Sequence, residues 1–157
     1  MIYVFDTNSL SNILNNYFPE TFSSFWKQFE DLIINKVIVS VREVKLELED
    51  RFEKSKVEHF CNINPDYFSV PSNEELKFIS QIYSIKHFQQ NLDHKKILKG
   101  GKFADPFVIA RAKVINGIVV TEEEYKENAA KIPNICMHFN IGYLNLEGFL
   151  QKEKWKY

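Results

Sequence analysis

Acidic residues stand directly after short β-type runs and beside apolar helices in this chain, where their side chains could share one site. Asp6 directly follows the first such run, and Asp105 opens an apolar helical segment. Glu43 and Glu47 lie in the helix after the second run, and residues 122–124 are three consecutive glutamates after a later run. Carboxylates that converge on one crevice repel each other unless a cation neutralises them. Oxygen ligands without Cys or His favour Mg²⁺ or Mn²⁺.

Other catalytic arrangements are missing from the sequence. The four histidines form no pair at metal-ligand spacing, and Cys61 and Cys136 belong to no CxxC motif. We expect both cysteines to be reduced and buried in a cytoplasmic protein. The chain has no GxSxG motif, no P-loop and no GxGxxG motif, which argues against acyl transfer, nucleotide hydrolysis and dinucleotide binding. Of the reaction classes considered, metal-dependent phosphate chemistry by carboxylates remains.

Several of these acids also fit roles as helix caps. Ser40-x-x-Glu43 and Thr121-x-x-Glu124 match the capping-box pattern, as does the pair Ser72 and Glu75. Capping therefore explains Glu43 and Glu124 without a catalytic role.

For the remaining acids, spacing alone distinguishes a site role from a capping role less clearly. At about 100° per residue, Glu47 lies roughly 60° from the apolar Val44, whereas Glu43 lies about 100° from it, so Glu47 is better placed to reach inward. Asp105-Pro106 fits an N-cap followed by proline, and Asp6 could cap the helix after its strand. Spacing does not decide between Glu122 and Glu123.

The elements that would position these acids alternate along the chain. Short β-type runs at residues 2–5, 37–39, 118–120 and 141–144 alternate with predicted helices over about 19–35, 40–52, 72–83, 106–115 and 146–149. Residues 121–130 are predicted to be a polar helical stretch. Strands separated by helices indicate an α/β fold with a parallel sheet covered on both faces. The carboxyl ends of such strands form the functional crevice.

Length and composition predict one globular domain over residues 1–157. The chain has 157 residues, 45% of them hydrophobic and 26% charged. No apolar run approaches the roughly 18 residues of a membrane span, and we expect no signal peptide. The net charge of −1 offers no overall basic surface for nucleic acid. A polar loop at about 89–103 concentrates positive charge, with Lys95, Lys96, Lys99 and Lys102. The tail at 155–157 is expected to be exposed and frayed.

Four segments in order carry a resemblance to a known family. They are Asp6-Thr7-Asn8, Val44-Lys-Leu-Glu47-Leu48, Ala104-Asp105-Pro106-Phe107-Val-Ile-Ala110 and Val119-Val-Thr121-Glu122-Glu123. Together they resemble the PIN-domain family, and within it a VapC-like bacterial or archaeal subfamily formerly known only as a domain of unknown function. The resemblance runs along nearly the whole chain. It implies a single three-layer PIN-like domain with a central parallel sheet of four to five strands flanked by helices.

The resemblance also implies an activity and its residues. It implies RNA phosphodiester hydrolysis with one or two Mg²⁺ or Mn²⁺ ions. Carried over by position, the catalytic and metal-binding acids are Asp6, Glu47, Asp105 and Glu123. Asp6 and Asp105 would be central ligands and Glu123 an outer ligand. Glu47 would be a ligand or would orient the attacking water. Thr7 or Asn8 would orient Asp6 or a bound water. The alternates and supporting residues are Glu43, Thr121 and Glu122.

Partners follow from the same resemblance. VapC-like toxins are usually held silent by a cognate antitoxin protein and often form homodimers, so we expect an antitoxin, RNA as the substrate and no membrane. The four lysines before Asp105 are expected to contact RNA phosphates.

Three rival interpretations are open to test. A receiver domain would place adjacent acids after the first strand, and a haloacid-dehalogenase-type phosphatase would need an acid where Asn8 stands. The stronger rival is a catalytically silent PIN-fold module that binds metal or RNA.

Overall fold

A computed structural model of the chain describes residues 1–92 and 103–155. Within them, five strands form one sheet: β1 Tyr3–Phe5, β2 Ile38–Val41, β3 Phe68–Ser69, β4 Ile118–Val120 and β5 Gly142–Leu144. The strand order is β3-β2-β1-β4-β5, and every neighbouring pair is parallel. The predicted α/β class and parallel sheet are therefore confirmed.

Helices connect and cover these strands. The α-helices of the described residues are α1 Thr7–Asn16, α2 Ser23–Ile34, α3 Arg42–Glu49, α4 Lys54–Ile63, α5 Asn73–Tyr83, α6 Asp105–Val114, α7 Ile132–His138 and α8 Leu146–Lys152. A short 3₁₀ helix, Lys86–Phe88, precedes helical residues 89–92. The predicted loop at 89–103 is thus helical at its start, and its lysines lie outside the described residues.

The core lies on both faces of the central strands, as a parallel sheet requires. Every residue of β1 and β2 is buried. On one face, Tyr3 and Phe5 make edge-to-face contacts with Phe149 of α8, and Phe5 does so with Phe29 of α2. Helix α6 packs against β1, β2 and β4.

Several predicted boundaries were wrong, each for a local reason. Helix α2 begins at Ser23, so Pro19 lies outside it. Ser40 belongs to β2 and donates its hydroxyl to the Phe5 carbonyl at 2.7 Å, so it does not cap α3. Strand β3 was not predicted, because two residues are too few to show a period. The predicted start of α5 is confirmed, since the Ser72 hydroxyl accepts from the Glu75 amide at 3.2 Å.

The C-terminal segment is not frayed at Trp155. Its ring makes edge contacts with Phe25 and Phe149, at centroid distances of 5.3 and 5.5 Å. Nearby, the buried Tyr3 hydroxyl donates to Glu153 at 2.6 Å. The expectation of a frayed tail was therefore wrong for Trp155, because sequence spacing does not reveal this contact with the core.

The expectation that both cysteines are buried holds for Cys136 and not for Cys61. Both cysteines are free; Cys136 is buried, whereas Cys61 is only half-buried. In the part of the chain that the structure describes, no helix combines the length and the apolar character needed to cross a membrane.

Candidate active site

Asp6 lies at the carboxyl end of β1, between α1 and the end of β4. Its backbone amide donates to the Val120 carbonyl at 3.0 Å. Its side chain caps α1: Oδ1 accepts from the Ser9 amide at 2.8 Å and from the Ser9 hydroxyl at 2.7 Å. Oδ2 accepts from the Thr121 hydroxyl at 2.5 Å. Asp6 is therefore both a helix cap and a carboxylate fixed at the sheet edge.

The environment of Asp6 disfavours its negative charge. The residue is 4% exposed. Burial raises the pKa of Asp6 to about 7, although the hydrogen bonds from Thr121 and Ser9 lower it, and the nearby Asp105 carboxylate raises it further. The charge of Asp105 therefore acts on Asp6.

Asp105 is the first residue of α6 and is 5% exposed. The predicted N-cap role was wrong by one position, because Ala104 is the cap and makes no side-chain hydrogen bond. The Asp105 Oδ2 atom instead accepts from Nδ2 of Asn91 at 3.0 Å. A side chain from outside α6 therefore helps to hold this carboxylate.

Glu47 reaches the same region from α3. The Thr7 hydroxyl, next to Asp6 in the chain, donates to Glu47 Oε1 at 2.7 Å, and Glu47 is 3% exposed. Glu43, one turn earlier, is bound by the Arg42 guanidinium at 2.6 and 3.0 Å. The structure thus links Glu47 to the neighbourhood of Asp6 and gives Glu43 an adjacent cation.

Asn8 lies farther toward the surface than its two neighbours. It is half-buried, and Nη1 of Arg51 lies 3.5 Å from its Oδ1. Of the two small residues after Asp6, it is Thr7 that contacts a predicted site acid.

The residues after β4 do not form the predicted helix, so the Thr121-x-x-Glu124 capping box was wrong. The Thr121 hydroxyl is bound to Asp6 and also accepts from the Glu123 amide at 3.1 Å. The hydroxyl therefore links Asp6 to the chain after β4, and residues 121–130 form no helix for it to cap.

The side chains of Glu122 and Glu123 point to different helices. Glu122 Oε1 accepts from the Leu146 amide at the start of α8, at 2.8 Å. Glu123 Oε2 accepts from the Ile132 amide at the start of α7, at 3.0 Å. Burial raises the pKa of the Cys136 thiol, and Glu123 and Asp105 raise it further, which places both acids near this residue. The charges of Glu123 and Asp105 therefore both act on Cys136.

The donor set fits a hard divalent cation in its chemistry. The side chains that meet here present oxygen, and Asp6 receives its hydrogen bonds from uncharged donors, Ser9 and Thr121. A cation beside it would relieve the repulsion from Asp105. No group of three or more His, Cys, Asp or Glu residues within 1–92 and 103–155 is arranged to hold a metal ion. Asp6, Glu47, Asp105 and Glu123 instead accept hydrogen bonds from neighbouring hydroxyl, side-chain amide and backbone donors.

Sequence reasoning missed two of these supporting side chains. Ser9 was not among the predicted site residues, although the Asp6-x-x-Ser9 spacing could have shown it as a donor to Asp6. Asn91 lies in a polar stretch without a recognisable pattern, and no sequence signal connects it with Asp105.

The strand order and a solved structure of similar fold define the fold class of this protein. A parallel sheet ordered β3-β2-β1-β4-β5, with Asp6 at its centre, is a PIN-like α/β fold. A solved structure of VapBC2 from Rickettsia felis, bound to a DNA fragment from their promoter, contains a chain of similar fold. The two chains match with a TM-score of 0.50 and 16% identity, over 92% of this chain and 98% of that chain. The predicted PIN-like fold is confirmed.

The family assignment is equally direct. Residues 3–157 match DUF4411, a domain of unknown function, and the chain belongs to this family. No curated protein matches the chain.

Proposed function

We propose that this protein is a metal-dependent endoribonuclease that hydrolyses RNA phosphodiester bonds, and that it is the toxin of a toxin–antitoxin pair. One observation carries the proposal. Asp6 and Asp105 are buried together at the carboxyl edge of a parallel sheet, and the pKa of Asp6 is raised to about 7. Two buried carboxylates that repel each other destabilise the folded chain. A divalent cation bound by both would offset this cost.

Each acid has a distinct part in this proposal. Asp6 and Asp105 would hold Mg²⁺ or Mn²⁺ directly, with Glu47 and Glu123 beside them. When bound, one or two such ions supply Lewis-acid activation of water and stabilisation of the leaving oxygen. Thr121 fixes the Asp6 carboxylate by its hydrogen bond.

The partners are part of the same proposal. Lys95, Lys96, Lys99 and Lys102, which precede Asp105 in the sequence, would bind RNA phosphates. An antitoxin partner is supported by the likeness to a chain of the Rickettsia felis VapBC2 structure. We extend the proposal to a cytoplasmic location and a homodimer.

Cleavage of a mixed tRNA and rRNA pool tests this function. The purified chain is incubated with Mn²⁺, with Mg²⁺ and with chelator. We expect discrete products with metal and none with chelator. Because water and not a ribose 2′-hydroxyl attacks, a 2′-deoxy substitution at the mapped cleavage site should leave cleavage intact. Products formed in chelator, or lost with the 2′-deoxy substitution, would contradict the proposal.

The two adjacent glutamates provide a matched pair of variants. Glu123→Gln should lower the cleavage rate about tenfold, because it removes a charge beside Asp105. Glu122→Gln should stay within about twofold, since a glutamine oxygen can still accept from the Leu146 amide. Initial rates at fixed Mn²⁺ measure both. The reverse order of effects would make Glu122 the fourth acid.

A second candidate function is a catalytically silent PIN-fold module that binds metal or RNA. It is favoured by the way neighbouring donors occupy the described acids, none of which form a group of three arranged for a metal. Mn²⁺ binding that depends on Asp6, without RNA cleavage under any metal, would support this module over the nuclease.

A further inference from the structure

Asn91 connects Asp105 to the end of α5. The residue lies in the helical stretch 89–92 and is 3% exposed. Its Nδ2 donates to Asp105 Oδ2 at 3.0 Å, and its Oδ1 accepts from the Tyr83 hydroxyl at 3.3 Å. Both ends of the buried amide are therefore hydrogen-bonded, and one end contacts a predicted site acid.

The chemistry of the three groups determines the direction of these bonds. An ionised carboxylate only accepts hydrogen bonds, so Asn91 must turn its NH₂ group toward Asp105. Its carbonyl oxygen then faces Tyr83, whose hydroxyl donates. Burial, followed by the charge of Asp105, raises the pKa of Tyr83, which keeps this hydroxyl protonated. Tyr83 thus selects the amide orientation that presents a donor to the carboxylate.

The contact is not needed to join α5 to α6. Glu75 of α5, fully buried, forms an ion pair with Arg111 of α6 at 3.0 Å. Phe78 of α5 is also in the core. An apolar residue at position 91 would avoid the cost of burying an amide. The amide is therefore better explained by what it does to Asp105 than by packing.

We propose that Asn91, held by Tyr83, is a positioning residue that orients the Asp105 carboxylate for a divalent cation. This inference rests on the proposed function. Side chains that hold a metal ligand in one orientation typically change metal affinity 10- to 100-fold when removed. Asn91 would act in this way through a single donated hydrogen bond, and Tyr83 would act only through Asn91.

Mn²⁺ titration calorimetry on four proteins tests the proposal: wild type, Asn91→Ala, Tyr83→Phe and the double variant. We expect Asn91→Ala to raise the Kd for Mn²⁺ about tenfold or more, and Tyr83→Phe to raise it a few-fold. Tyr83→Phe should have no further effect once Asn91 is alanine. In cleavage assays at limiting Mn²⁺, kcat should fall while KM for RNA stays unchanged.

Asn64→Ala is the matched control. Asn64 follows the last residue of α4, is also a buried asparagine, and accepts from the Asp66 backbone amide. It should lower the melting temperature and leave the Kd for Mn²⁺ unchanged. If Asn91→Ala does not fold, Tyr83→Phe alone decides.

Three results would overturn the inference. The first is an unchanged Kd for Mn²⁺ in folded Asn91→Ala while Asp105→Asn abolishes binding. If only Tyr83→Phe folds, an unchanged Kd in that variant counts in the same way. This result leaves the proposed function intact. The second is an equal effect of Tyr83→Phe in both backgrounds. The third is a wild-type protein that does not bind Mn²⁺, which overturns the proposed function as well.

Discussion

Replacing Asp6 with asparagine should lower the rate of RNA cleavage about a thousandfold while the protein remains folded. Asparagine has the same shape, and its Oδ1 can still accept from the Ser9 amide that Asp6 now binds at 2.8 Å. What is lost is the negative charge at the centre of the acidic edge. A bound cation stabilises the transition state by several kcal/mol, which corresponds to about three factors of ten in rate.

The matched control is Asp31→Asn, the same substitution at an exposed acid of α2. It should keep full activity. Circular dichroism confirms that both variants are folded, and single-turnover cleavage with Mn²⁺ measures the rates. Activity of Asp6→Asn within tenfold of wild type would show that Asp6 is a helix cap and not a catalytic group.

The metal-free protein should lose stability as the pH rises from about 4 to about 7. The pKa of Asp6 rises from its ordinary value of 3.8 to about 7 on folding, because burial disfavours the charged form. Between these values the folded state keeps a proton that the unfolded state has lost, so each rise in pH favours unfolding. At about 1.4 kcal/mol per pH unit, this one residue reduces the free energy of unfolding by about 4 kcal/mol at pH 7 and above.

Urea unfolding in chelator at several pH values measures this effect. Other carboxylates also titrate, so the informative quantity is the difference between wild type and Asp6→Asn, which carries no charge at this position. The unfolding free energy of the variant should rise relative to wild type between pH 4 and 7. Above pH 7 the difference between the two proteins should stay constant. Saturating Mn²⁺ should stabilise wild type at pH 8 and not the variant. Parallel pH profiles of the two proteins would contradict the account.

The central part of the fold could be predicted from local pattern. Strand β4 runs over Ile118–Val120 as predicted, and Asp6 follows β1 directly. Both strands are continuous apolar runs because they are buried on both faces, and such runs are visible without tertiary information. The alternation with helices then implied a parallel sheet, whose carboxyl edge brings the acids together.

The errors occurred where a tertiary contact replaces a local one. Ser40 and Thr121 both match capping patterns, yet the first hydroxyl binds the Phe5 carbonyl and the second binds Asp6. The long-range bond fixes Ser40 within β2 and Thr121 in an irregular segment, so neither residue is the cap of a helix. Trp155 was expected to be exposed for the same reason, since its contact with Phe25 spans most of the chain.

The sequence supplied the candidate acids but not the side chains that hold them in place. The resemblance placed Asp6, Glu47, Asp105 and Glu123, and the structure describes distinct surroundings for Glu122 and Glu123 that spacing could not separate. Asn91 and Tyr83 could not be found, because a hydrogen bond between residues 14 apart has no periodic signature.

The most direct test compares Mn²⁺ binding and RNA cleavage on one preparation of the wild-type protein. Binding is followed by calorimetry and cleavage by initial rate, each across the same Mn²⁺ concentrations after removal of metal. If Asp6 and Asp105 hold the cation that hydrolyses RNA, cleavage is absent without metal and both curves share a midpoint. Cleavage that persists without metal, or binding that saturates with no cleavage at any concentration, would contradict the account.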